Sequence, residues 1–326
     1  MFTVIFGTRP EYIKLKPLMM EMFLQQIPHR SIYIKQHEDL LQGCKYDICL
    51  PINNDRGTRL QNILATCQFS FGMDTKGVIV QGDTSTASSC ALSAFYQNIP
   101  VLHIEAGLRT YRNDPYPEEA NRRIIASVAS YHFAPSVEAY KNLGRERVNG
   151  EVFLVGNTAL DNLVNHKITN GNTVIVTMHR RDNLKKMKYW FEEINKLACK
   201  HPSLNFVFPM HPNPDIQKYK HILKDVVVID SVDHESMAEM LASCRLAITD
   251  SGGIQEECSF FDKWCIVCRE STERECDSSI IVNSPYDLDV TLDFCLSRIP
   301  AENKYPFGDG HASEKIVEII KRKFYE

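Results

Sequence analysis

The sequence predicts an α/β protein of two domains, each built on a parallel sheet. Three observations carry this. Short apolar runs alternate with amphipathic stretches along the chain, the pattern of βαβ units. The 326 residues are long for one α/β domain and comfortable for two of about 150 each. A polar stretch, Asn165-His166-Lys167-Ile168-Thr169-Asn170-Gly171-Asn172, interrupts the alternation before a fresh apolar run, Thr173–Met178. The predicted domains are therefore 1–168 and 169–326.

The first strand is expected at 2–6, and strand-like runs follow at 30–34, 77–81, 100–104 and 151–155. In the second half they recur at 173–178, 204–209, 226–229, 245–249 and 265–268. Helical spacing fills most of the gaps, as in Thr86–Gln97 and Glu118–Ala129. At the end, Ile316, Val317, Ile319, Ile320 and Phe324 share one helical face within 312–326, and such a helix can pack back on the first domain.

Composition narrows the functional classes. Apolar residues are 44% and charged residues 24% of the chain, as in an ordinary soluble protein. A net charge of −4 implies no general affinity for nucleic acid or an anionic membrane. No apolar run approaches the ~20 residues that span a bilayer, and the first residues read as a strand rather than a signal peptide. Eleven cysteines without paired CxxC units argue against a zinc ribbon and for a reducing, cytoplasmic compartment. The one CxxC, Cys265 to Cys268, reads as a buried strand, not a redox turn at a helix N-terminus.

Two strand-to-helix turns have the chemistry of anion sites. Gly7-Thr8-Arg9-Pro10-Glu11 combines a helix cap, a first-turn proline and a cation. Asp250-Ser251-Gly252-Gly253 puts two glycines and a hydroxyl at the start of a helix, where main-chain N–H groups can reach a phosphate. Glu256 and Glu257 follow one turn later, either as acceptors for ribose hydroxyls or as solvated glutamates after a tight βα turn. Neither turn matches the dinucleotide or Walker A patterns.

Acids and histidines stand at other strand ends, the edge where open parallel sheets bind ligands. Asp83 follows the strand 77–81 and is either a site carboxylate or a helix cap. Glu105 follows 100–104, and Glu118-Glu119 opens a helix, where either acid could serve the helix dipole instead. His179, with Arg180 and Arg181, ends one strand of the second half, and His211 ends another. Each histidine is either a site group or a structural hydrogen-bonder. No HxH or HxxxH spacing accompanies them, so no metal site is expected.

Taken in order, these motifs resemble the non-hydrolysing UDP-N-acetylglucosamine 2-epimerases. The matching segments include Gly7-Thr8-Arg9-Pro10-Glu11, Gly82-Asp83-Thr84, Glu105-Ala106-Gly107-Leu108-Arg109-Thr110 and Pro117-Glu118-Glu119-Ala120-Asn121-Arg122. They continue through Gly156-Asn157-Thr158, His179-Arg180-Arg181, Asp250 to Glu257, Thr272-Glu273-Arg274 and Gly308-Asp309-Gly310. The resemblance implies two Rossmann-like domains with a cleft between them, the glycosyltransferase-B-like fold. It implies that Asp83, Glu105, Glu118 and His179 serve acid–base catalysis. Arg9, Lys14, Arg122, His211, Ser251, Gly252, Gly253, Glu257 and Arg274 would bind a UDP-N-acetylated sugar. Gln36 and His37 match part of an activator site. The implied reaction eliminates UDP to a 2-acetamidoglucal and adds it back, inverting C2, with no cofactor. The implied assembly is a homodimer.

The chain departs from the family where Glu273-Arg274-Glu275-Cys276 replaces the usual Glu-Arg-Pro-Glu. Two other readings are a 2-epimerase of a 6-deoxy UDP-N-acetylhexosamine and a hydrolysing epimerase releasing N-acetylmannosamine. Hydrolysing relatives carry Gly-Gly-Glu where this chain has Glu105-Ala106-Gly107.

Overall fold

The computed structural model describes residues 1–35, 45–52, 59–68, 71–113, 115–274, 276–300 and 305–326. They form two compact units, Met1–Asn162 with Phe307–Glu326, and Leu163–Pro306. The first unit runs β1 (Phe2–Phe6), α1 (Arg9–Leu24), β2 (His29–Lys35), β3 (Ile48–Pro51), α2 (Arg59–Gln68), β4 (Gly77–Gln81) and α3 (Ser85–Tyr96). It continues with β5 (Val101–Ile104), α4 (Glu118–Val128), β6 (Tyr131–Ala134), α5 (Val137–Glu146) and β7 (Glu151–Leu154). The second comprises β8 (Thr173–Thr177), α6 (Met187–Lys200), β9 (Asn205–Met210), α7 (Pro214–Gln217), β10 (Val227–Asp230) and α8 (His234–Ser243). It ends with β11 (Leu246–Thr249), α9 (Gly252–Phe260), β12 (Trp264–Val267), β13 (Ser279–Ile281) and α10 (Leu288–Ser297). The closing helix, α11 (Ala312–Phe324), belongs to the first unit.

Among the described residues the first sheet has the order β3-β2-β1-β4-β5-β6-β7 and the second β10-β9-β8-β11-β12-β13, with every pairing parallel. Both sheets are doubly wound: the order reverses between β1 and β4, and again between β8 and β11. At such a reversal the two flanking turns diverge and leave room for a ligand at the C-terminal edge.

The β1 sequence explains its central place. Phe2, Val4 and Phe6 point to one face, where they pack with Leu15, Leu18 and Met22 of α1 and Ile316, Val317 and Ile320 of α11. Ile5 points to the other, among Ala87, Cys90, Ala91 and Ala94 of α3 and Ile125 of α4. A strand covered on both faces is apolar at nearly every position, here all but Thr3, which is why it reads as a near-continuous run. In the second unit Val174, Val176, Trp190, Phe191, Phe208, Ile248 and Ile266 lie in one buried cluster.

Helix α1 contains Pro17, which has no N–H to offer the carbonyl of Ile13. Asn162 Nδ2 fills that vacancy, donating to Ile13 O at 3.1 Å. Just before it, Asp161 caps α11 from a distance, accepting from Ala312 N at 3.0 Å and Ser313 N at 2.7 Å. Gly156 and Gly308 meet back to back at positive φ: a Cβ at Gly308 would stand 2.7 Å from Gly156 Cα. Asn157 N donates to Phe307 O beside them at 2.7 Å.

The polar stretch 165–172 is not the division the sequence suggested. Its groups are bonded into the second unit: Thr169 N to Ala242 O, Gly171 N to Ser243 O, and buried Lys263 Nζ to Thr169 O and Asn170 Oδ1 at 2.5 and 2.8 Å. The chain therefore divides at Asn162/Leu163 instead of after residue 168, and it crosses back at Phe307. Strands β3, β6 and β13 were not anticipated. Cys265 is buried within β12 and Cys268 just beyond its end, and burial pushes the Cys268 thiol well up. Among the described residues no helix is long and apolar enough to cross a membrane.

Candidate active site

Glu105 leaves the end of β5 in the left-handed region, at φ 63, a conformation that costs a non-glycine residue roughly 1–2 kcal/mol. Its carboxylate is buried and encircled by donors. Lys14 Nζ lies 2.8 and 2.6 Å from its two oxygens, Asn157 Nδ2 lies 3.2 Å away, and Gln81 Nε2 donates as well. Lys14 comes from α1, Gln81 from β4 and Asn157 from the Gly156 turn, so three separate elements converge on one acid. Strain held in place by this many contacts is a mark of a functional position.

Asp83 does not cap the next helix; Thr84 does, accepting from Ala87 N at 3.0 Å. The Asp83 side chain is left for Arg122, whose Nε donates to Oδ2 at 2.7 Å, while Asn121 Nδ2 holds the Asp83 carbonyl at 2.8 Å. The adjacent acids Glu118 and Glu119 separate cleanly. Glu119 is buried and structural: it accepts from Thr110 N, Tyr111 N, Arg122 Nη1 and Arg123 Nη2 at 3.0 to 3.4 Å. Glu118 is half-buried at the N-terminus of α4 and has no hydrogen-bond or ionic partner among the described residues. Arg9 is exposed at the N-terminus of α1, likewise with no described partner. Arg109, in the Glu105 motif, is tied up in a two-pronged bond to Glu146 at 2.8 and 2.7 Å.

In the second unit, α9 begins at the β11 turn with Ser251 as its N-cap, and no side chain caps it. Its first N–H groups and the Ser251 hydroxyl are therefore available to an anion. A Cβ on Gly252 would stand 2.8 Å from Arg274 Nη1, so only glycine lets the guanidinium lie against this turn. Arg274 is fixed there by Glu256 Oε1 at 2.6 Å and by Glu273. Gly253 has open space where a Cβ would be, its nearest neighbour being Ser251 Oγ at 3.9 Å. His179 stacks on His211 with ring centroids 5.9 Å apart. Burial and then His179 lower the His211 pKa, and its Nδ1 accepts from Asn213 N at 3.1 Å, which leaves the proton of the neutral ring on Nε2. Glu257 lies further along α9 with His234 Nε2 at 3.3 Å from Oε1, and its Oε2 is buried with no hydrogen-bond partner among the described residues. Gln36 and His37 lie outside the described residues.

Two buried acids with no role in the sequence reading sit at the heart of these turns. Glu11 accepts from Gly7 N at 3.0 Å, Thr8 Oγ1 at 2.7 Å and Thr84 Oγ1 at 2.6 Å, and burial raises its pKa. Asp250 accepts from His179 N at 3.0 and 3.1 Å, Arg180 N at 3.0 Å and Asn183 Nδ2 at 3.1 Å. The Thr8-x-x-Glu11 spacing of a capping box was the available signal for the first; nothing local marked the second.

Two doubly wound units, one with an encircled carboxylate cluster and one with an open helix N-terminus beside cationic side chains, define an enzyme of the glycosyltransferase-B-like fold. The sequence profile described as UDP-N-acetylglucosamine 2-epimerase matches residues 58–321. The UDP-N-acetylglucosamine 2-epimerase of Campylobacter jejuni is 34% identical over 371 residues, covering 97% of this chain and 96% of that protein. Among solved structures, the UDP-GlcNAc 2-epimerase of Neisseria meningitidis bound to UDP-GlcNAc is 29% identical with a TM-score of 0.86, covering 99% of this chain and 100% of that one. The co-structure of S. aureus MnaA with UDP is 30% identical, also with a TM-score of 0.86, covering 98% and 96%. The chain belongs to the UDP-N-acetylglucosamine 2-epimerase family, a family of isomerases.

Proposed function

We propose that this protein interconverts UDP-N-acetylglucosamine and UDP-N-acetylmannosamine by eliminating UDP and adding it back. The observation that carries this is the contrast among three carboxylates of the first unit: Glu105 saturated with donors, Asp83 held by Arg122, and Glu118 without a described partner. A carboxylate whose lone pairs are already engaged orients and stabilises charge; one whose lone pairs are open can take or return a proton. In this reading Glu118 is a proton carrier at C2, Asp83 serves the other face, and Glu105 with Lys14 fixes the sugar-binding wall.

The steps balance without an external oxidant. One carboxylate takes the C2 proton, the C1–O bond to the diphosphate breaks with its electron pair going to UDP, and a C1–C2 double bond forms. A proton is then delivered to the opposite face of C2 while the diphosphate oxygen re-forms the bond at C1. The departing charge would be met by the N–H groups at the start of α9, the Ser251 hydroxyl, the His179 ring, and the cations Arg180 and Arg274. Arg9, Lys14 and Arg122 would be the cations of the first unit, with Glu257 for the ribose and His211 and Gly253 completing the UDP contacts.

The test is incubation with UDP-N-acetylglucosamine in D2O, followed by proton NMR. Intact UDP-N-acetylmannosamine, with deuterium at C2 of both epimers, is expected. Free N-acetylmannosamine would place the protein with the hydrolysing epimerases. Absence of exchange with UDP still bound would redirect the search to 6-deoxy sugars.

A further inference from the structure

Each unit repeats one device at the point where its strand order reverses. In the first, Glu11 bridges the turn after β1 to the turn after β4: one oxygen takes Gly7 N and Thr8 Oγ1, the other takes Thr84 Oγ1. In the second, Asp250 bridges the turn after β11 to the turn after β8, taking His179 N, Arg180 N and Asn183 Nδ2. Both acids are almost completely buried, Glu11 at 1% and Asp250 at 0% exposure. We propose that Glu11 and Asp250 are equivalent positioning residues, each setting the register between the two site-bearing turns of its own unit. Glu11 fixes Arg9 relative to Asp83, and Asp250 fixes His179 and Arg180 relative to Ser251 and Gly252.

Flanking turns at a switch point lead to helices on opposite faces of the sheet, so the main-chain ladder stops tying them together there. Strands are about 4.8 Å apart, a gap that one carboxylate can span. Thr84 follows Asp83 directly and also accepts from Ala87 N, so the Glu11 bond passes straight into the turn that aims Asp83. In the second unit a companion tie lies alongside: Thr177 Oγ1 and Thr249 Oγ1 are 2.6 Å apart, and Ser251 N donates to Thr249 Oγ1 at 2.9 Å.

The two sites differ in one chemical respect that makes the inference testable; the activity arm rests on the function proposed above. One oxygen of Glu11 faces only the Thr84 hydroxyl, which can rotate to accept, so glutamine fits. Every donor on Asp250 is an N–H that cannot accept, so asparagine sets an NH2 group against them. In the full chain, Glu11→Ala is expected to lower kcat by about tenfold or more. Glu11→Gln should stay within about threefold of the parent in kcat. Asp250→Asn should weaken UDP binding, measured by calorimetry, by about tenfold or more. Thr84→Val removes one donor to Glu11 along with the cap on Ala87 N, and Asn183→Ala one donor to Asp250 along with its bond to Cys268 O; each should give smaller losses in the same parameter, which covers the case of Glu11→Ala or Asp250→Asn failing to fold. Wild-type kcat in Glu11→Ala or Thr84→Val, glutamine no better than alanine, or wild-type UDP affinity in Asp250→Asn or Asn183→Ala would overturn the inference. An inactive parent chain would instead refute the proposed function.

Discussion

Lys14 and Glu105 form a two-pronged ion pair at 2.6 and 2.8 Å, with the carboxylate side chain 5% exposed and the lysine 19%. The pair holds a residue in a disfavoured backbone conformation, so removing one partner exposes both costs at once. Lys14→Met should destabilise the protein by about 2 kcal/mol, below the range for fully buried pairs because the lysine is partly solvated. Combining it with Glu105→Gln should recover most of that loss while leaving turnover absent. Urea unfolding of both single variants and the double checks this; purely additive effects would mean that the two side chains do not act as a pair.

The neighbouring acids Glu118 and Glu119 should respond in opposite ways. Glu118→Gln removes no described bond, and its thermal midpoint should stay within about 2 °C of the parent while turnover collapses. Glu119→Gln confronts two main-chain N–H groups and two arginines with an amide, and should cost about 2 kcal/mol of stability. Melting curves beside epimerisation assays separate the two. Wild-type turnover in Glu118→Gln would remove it from the proton path.

His103 makes acid stability a readout of the core. Its Nε2 donates to Gly82 O at 2.8 Å, and burial lowers the pKa from 6.5 to about 3. The unfolded chain takes up this proton near pH 6.5 and the folded chain does not, so stability falls as pH falls from 6.5 towards 3. By pH 4 the loss from this residue should be on the order of 3 kcal/mol. His132, on the adjacent strand, is also lowered by burial and adds in the same direction. Gln at 103 keeps the donor and should flatten this limb of the urea-midpoint profile between pH 4 and 7; an unchanged slope would contradict a neutral buried imidazole.

Gly252→Ala tests the contact with Arg274. The new methyl would press on a guanidinium that Glu256 and Glu273 hold in place. UDP affinity should fall by about tenfold, with little change in the melting midpoint of the first unit. Affinity equal to the parent would show that Arg274 can move aside without consequence.

Central strands were legible because burial on both faces leaves a near-continuous apolar signature, as in β1 and β4. Strand β6 was hidden by its own chemistry: Tyr131-His132-Phe133-Ala134 carries a histidine that looks polar but is buried, with Nε2 2.7 Å from Asn149 O. Strands β3 and β13 lie at sheet edges, where half-exposure erases the pattern. The boundary was misread because polar residues signal a linker only when water satisfies them, and here Lys263 and α8 do. Candidate site acids stood out at strand ends. Glu11 and Asp250 did not, because a carboxylate that bridges two turns has one partner set far away in sequence, Thr84 for one and His179 for the other.

The return of α11 to the first unit has a consequence for synthesis. Residues 163–306 form a contiguous unit, whereas the first sheet lacks Ile316, Val317 and Ile320 until α11 has been synthesised after it. The amino-terminal half is therefore finished last, and the apolar face of β1 and α1 must wait uncovered through translation of the whole second unit.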